Sequence, residues 1–223
     1  MKKLISIIIA VALVVTLALA VVPASAEIPS AKATAQIAEL NVMSCSATTG
    51  DDVDWDSSGV VTILEQDIKT ANQKDLIIDV SLLSALYTDT TVKSKGGTKD
   101  TSAAGAAVLA AVFVDDEMVF PGYPIVFEGR VQVLTATLGG YMDDLVLMEE
   151  EIGLIIGTLS ANSFNFIAPD LSSGVHNVKV KACVVSGAYS QAGSAAAMGV
   201  LGLGSVVIEE VRMIQGEDAV PLP

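Results

Sequence analysis

The sequence predicts an all-β protein: a two-sheet antiparallel sandwich of jelly-roll or related Greek-key type, with about eight strands. Three observations predict it. Apolar and polar side chains alternate with period two in several segments. Clusters of Gly, Pro, Ser and Asp fall between those segments. Small and β-branched residues dominate, and aromatics make up only 4% of the chain.

The first element is not part of the sandwich. Lys2 and Lys3 precede the apolar run Leu4 to Val22, Pro23 ends it, and Ala24-Ser25-Ala26 has the small-x-small form read by a signal peptidase. Residues 1–26 therefore read as a signal peptide, with 27–223 as a single β-sandwich domain and no membrane span in the mature chain. A first strand is expected near 34–44, and a second near 60–68, after the turn residues Ser57-Ser58-Gly59. In 76–87, Leu76, Ile78, Val80, Leu82 and Leu86 share one parity, with Asp79 and Ser81 on the other. Lys93 to Asp100 reads as a solvated hairpin tip around Gly96-Gly97, followed by a strand over 104–114 and a turn at Asp115-Asp116-Glu117.

Pro121-Gly122 then leads into 125–134, where Ile125, Phe127, Val131 and Val133 are expected on the buried face, with Glu128, Arg130 and Gln132 on the wet one. A short helix is expected near 143–159, because Leu145, Met148, Ile152, Ile155 and Leu159 recur at three- and four-residue steps behind a cap at Asp143 or Asp144. Strands follow at 163–168, at 176–184 and near 203–213. The glycines of "GVLGLGS", 199–205, mark a bulge or close strand packing rather than a dinucleotide loop, since no helix follows them.

Charge narrows the chemistry. Without Lys2 and Lys3 the chain keeps 10 basic against 26 acidic side chains, a net charge of −16. Such a chain repels nucleic acid and attracts cations. Arginine occurs only at 130 and 212, so phosphate recognition has no basic patch to use. His176 is the sole histidine, which leaves a zinc site without partners, and the reading at a strand start is structural. No catalytic and no cofactor-binding residue stands out. Asp51, Asp52, Asp54 and Asp56, in "GDDVDWDSSG", are the candidate calcium ligands, set against a plain acidic turn with Trp55 packed on the sandwich. Cys45 and Cys183 are the two cysteines; both fall on wet faces by parity, and export favours a disulfide between them.

The segments "DVDW", "VTILEQDIKT", "KDLIIDVSLLSALYTDTTVKSKGG", "ANSFNF", "GVHNVKVKA" and "SVVIEEVRMIQGED" together resemble a group of secreted β-sandwich proteins from environmental archaea. The resemblance spans roughly Asp51 to Asp218. It implies export and an archaeal cell-surface setting, and it transfers no catalytic residue. The expected function is that of a secreted or cell-surface structural protein, a self-associating matrix or filament subunit in which Glu27 to Ser44 can donate a strand. Other surface proteins or glycans are further partners. The alternative is a monomeric carbohydrate- or calcium-binding module, and a glycan-active enzyme is the third class.

Overall fold

A strand with one apolar face is stable only when a second sheet covers that face. The computed structural model describes residues 33–38 and 53–213 and arranges them in this way. Among the described residues there are eleven strands. They are β1 (Ala33–Ala38), β2 (Val61–Thr70), β3 (Lys74–Ser94), β4 (Thr98–Val114), β5 (Glu117–Met118) and β6 (Ile125–Leu138). Next come β7 (Tyr141–Asp143), β8 (Val146–Met148), β9 (Glu150–Leu171), β10 (Gly174–Ser190) and β11 (Ser194–Val211).

All pairings are antiparallel. Sheet A runs β1-β11-β3-β9, and sheet B runs β2-β10-β4-β5, with β6 also paired to β4. A small third sheet joins β7 to β8. β1 pairs with β11 of its own chain, Ala33 against Glu209 through Ala38 against Gly204, so this part of the N-terminal region already occupies a sheet position. The core forms between the sheets, from Leu76, Ile78, Val80, Leu82 and Leu86 of β3 and Val206 and Ile208 of β11 on one side. Ile68 of β2, Val108 to Val112 at alternate positions of β4, and Val178 to Val184 at alternate positions of β10 meet them from the other.

The turns follow local chemistry. Asp115 and Asp116 adopt φ of 52° and 68° between β4 and β5, a mirror-image hairpin turn that acidic residues tolerate. Gly96 and Gly97, at φ 63° and 75°, close the β3–β4 hairpin where a side chain would be strained. In β11 the register shifts between Leu201 and Gly204, placing a bulge in the glycine-rich stretch.

Two expectations for the elements between 125 and 159 fail. No helix forms over 143–159. Tyr141–Asp143 and Val146–Met148 make a hairpin turned at Asp144 and Leu145, and Glu150 onward continues as the 22-residue β9. Gly153 and Gly157 weaken a helix, while the β-branched Ile152, Ile155 and Ile156 favour the extended chain, and β3 supplies a ladder from Thr158 back to Glu150. The parity of β6 also inverts. A register shift opposite Val108 and Leu109 puts Phe127 and Glu128 both toward the interior. Beyond it Gln132 is buried, while Val131 and Val133 are 81% and 61% exposed. No helix among the described residues is long and apolar enough to cross a membrane.

Candidate functional site

The acidic loop does not stand free in solvent. Asp54 accepts a hydrogen bond from the Asp56 amide at 3.1 Å, closing a turn, and the Asp56 carboxylate meets Lys181 Nζ at 2.8 Å. That lysine holds the Asp56 carboxyl below its ordinary range, through the hydrogen bond first and its charge second. Lys181 also donates to the Trp55 carbonyl and sits 4.7 Å above the Phe113 ring, which Trp55 approaches at 6.1 Å. The loop thus fastens onto the outer face of sheet B. Asp51 and Asp52 lie outside the described residues, and those described contain no cluster of three or more metal-ligating side chains. Cys183, expected on a wet face, is buried in this region beside its ladder partner Leu109. Cys45 lies outside the described residues.

His176 is buried at the start of β10. Its Nδ1–H donates to Asp115 Oδ2 at 2.7 Å and its Nε2–H to the Ser172 carbonyl at 3.0 Å. Both partners are acceptors, so both ring nitrogens must carry protons for both bonds to form, which is the imidazolium state. Burial is the strongest single influence and disfavours that charge. The Asp115 and Ser172 hydrogen bonds, with the Asp115 charge, outweigh it and hold the ring above its ordinary pKa. For Asp115 burial again opposes the charge, yet the bonds from His176 and the Asn177 amide keep its carboxyl below the usual range. A main-chain carbonyl stands where a nucleophile would have to be.

The signs then set a pH window. The His176 contribution is complete below about pH 6.5 and is lost as pH rises through the raised folded value. The Asp115 contribution is complete above about pH 4 and is lost on acidification. Replacing His176 with Asn is expected to cost about 1–2 kcal/mol and to flatten the fall in stability as pH rises above about 6.5. Urea titrations of both proteins across that range check this; parallel slopes would refute the ion-pair account.

The feature that parity concealed is a buried polar network. In the half of the sandwich distant from β1 and β2, formed by 84–105, 128–160 and 185–203, polar side chains share the interior with Leu86, Val92 and Leu201. Gln132 donates to Thr90 Oγ1 at 2.6 Å and to the Leu154 carbonyl at 2.7 Å, and accepts from Thr88 Oγ1 at 2.8 Å. Arg130 donates to the Ile156 carbonyl and to Thr158 Oγ1. Glu128 accepts from Ser84 and Thr158 at 2.6 and 2.7 Å. Burial works against the Glu128 charge, but the hydroxyls of Ser84, Thr158 and Ser160 and the Arg130 charge hold its carboxyl below the usual range. These side chains tie β6 to β9, the outer strands of sheets B and A on that side.

Much of the exterior of the same half is apolar, although Asp89 and the Lys93–Glu151 ion pair also lie outside sheet A there. Outside sheet A, Ile155 is 62%, Leu159 70%, Met198 53% and Leu203 57% exposed. Outside sheet B, Val131, Val133 and Tyr189 are similarly exposed, around a groove of about 490 Å³ that includes Gly105, Ala107, Gly129 and Gly187. Ion pairs concentrate elsewhere on sheet B, at Lys179–Asp116 and Lys181–Asp56. The one sequence signal for this arrangement was the run Ser84, Thr88, Thr90 in phase with Leu82 and Leu86 along β3.

No family model matches this chain, and no curated protein matches it. Among solved structures, similarity is found to the T13 IBDV viral particle, at 12% identity and a TM-score of 0.30, covering 84% of this chain and 39% of that one. A structure of the infectious bursal disease virus Gx strain is similar at 13% identity and a TM-score of 0.27, with the same coverage of 84% and 39%. The chain thus spans about two fifths of the length of the viral chains it matches.

Proposed function

We propose that this chain is a structural subunit of the cell surface or extracellular space that associates with copies of itself through an exposed outer face of a jelly-roll sandwich. The observation that carries the reading is the exposed apolar surface on the outer faces of the sandwich, with Leu159, Met198 and Leu203 on sheet A and Val131, Val133 and Tyr189 on sheet B. Contiguous exposed apolar surface of this kind on a folded domain is the mark of an interaction site. Export is inferred from Lys2 and Lys3, the apolar run and Ala24-Ser25-Ala26. The jelly-roll assignment is supported by the strand order: β1/β2, β3/β4, β6/β9 and β10/β11 each divide between the two sheets, as wrapping a folded ribbon around a barrel requires.

Purified mature protein, measured by size-exclusion chromatography with light scattering and by negative-stain microscopy, is expected to form assemblies whose mass grows with concentration. A strict monomer at the highest soluble concentration would overturn the reading and favour a binding module that acts alone.

A further inference from the structure

We propose that the outer face of sheet A packs against the same face of a second copy, an inference that rests on the self-association reading and names its surface. The register places one continuous layer on that face. Ala33, Ala35 and Ile37 come from β1, and Met198, Val200, Leu203, Ser205 and Val207 come from β11. From β3 come Ile77, Ser81, Leu83, Ala85 and Tyr87, with Leu159, Ala161 and Ser163 opposite them on β9.

Between Ile77 and Tyr87 on β3 and along the facing stretches of β11 and β9, the charged side chains of this face are Asp79 and, opposite Ile77, the exposed Glu209; Asp89 stands just beyond, where the Tyr87 hydroxyl reaches it at 3.5 Å. The chain as a whole has a formal net charge of −14. Copies repel one another across charged surfaces, and two carboxylates over this area is a low density for so acidic a chain.

Area and texture fit a copy of the same chain. Three strands about 4.8 Å apart over about eleven residues at about 3.3 Å each, with the six residues of β1 beside them, give roughly 600 Å². A standard interface buries about 800 Å² on each partner, and homodimer interfaces are the more apolar ones. Large side chains flank small ones: Ala85 lies between Val200 and Leu159, and Tyr87 between Met198 and Gly157. The knobs of one copy therefore have shallow seats on the other, as in two sheets of a sandwich. Lipid is the poorer occupant, because sheet A is open, and hydrocarbon gives the outer edge of a sheet no hydrogen-bond partner.

The test is a pair of substitutions at exposed positions, Leu159→Glu with Met198→Glu, in the mature protein, beside Val131→Glu on the outer face of sheet B. The unmodified protein and Val131→Glu are expected to self-associate alike, while the double variant melts normally and associates at least tenfold more weakly. If the double variant associates like the unmodified protein, this face is not the interface, and self-association itself stands. If the unmodified protein is monomeric, both readings fall. If it is monomeric yet floats with phosphatidylcholine vesicles and the double variant does not, the face binds lipid and the proposal is overturned.

Discussion

Gln132→Ala is expected to lower stability by about 3 kcal/mol, far more than deleting an ordinary surface glutamine. The Gln132 amide is 6% exposed and satisfies the Thr88 and Thr90 hydroxyls and the Leu154 carbonyl at once. Truncation leaves these groups desolvated and without that partner, and each such loss costs about 1–3 kcal/mol. It also releases one of the ties that hold β6 against β9, so the edge of β9 becomes available to other strands. Urea denaturation should show the lower midpoint, and amide exchange should show faster opening along 150–160. A variant as stable as the parent would mean that water replaces the amide without loss.

Gly193→Ala is the second large effect, expected to cost about 3 kcal/mol or to prevent the β10–β11 turn from docking. A Cβ placed there would lie 1.7 Å from the Thr91 carbonyl oxygen and 2.5 Å from its carbon, backbone atoms that cannot swing aside. The turn is held by Asp100, whose carboxylate accepts from the amides of Lys93 and Thr101 at 2.8 Å and of Ala192 at 3.0 Å. Those amides, that of Lys93 first, hold the Asp100 carboxyl below its ordinary range, although burial pushes the other way. Gly187→Ala is the control, since nothing lies within 4 Å of its Cβ position, and it should stay within about 0.5 kcal/mol of the parent. Equal melting temperatures for the two variants would refute the steric account.

The comparison of sequence with structure divides along physical lines. β3 and β10 were legible because one regular ladder runs through the read segments' buried faces, and alternation survives wherever register is unbroken. β6 was legible only up to Phe127, since the bulge moves each later residue to the opposite face, and a bulge leaves no residue signature here. The helix expected over 143–159 arose from apolar residues on both faces of β9. A strand exposed on two sides has no period of two, and its spacings happen to fit three and four. Of the candidate site, the packing of Trp55 was foreseen, but Lys181 as the partner of Asp56 was not, because their contact spans a sequence separation of 125 residues. His176 needed Asp115 beside it, which depends on the β4–β5 turn meeting the start of β10.

The position of β11 has a consequence for how the chain comes to be folded. It pairs with β1 on one side and β3 on the other, so Ala33 waits for Glu209 and Asp75 for Val211. Pairings this remote close slowly, because the loop entropy is spent before any contact returns it. During synthesis sheet A cannot be assembled until β11 has emerged, and until then β3 and β9 have only each other. Acquisition of structure is therefore a nearly all-or-none event, timed by the arrival of β11.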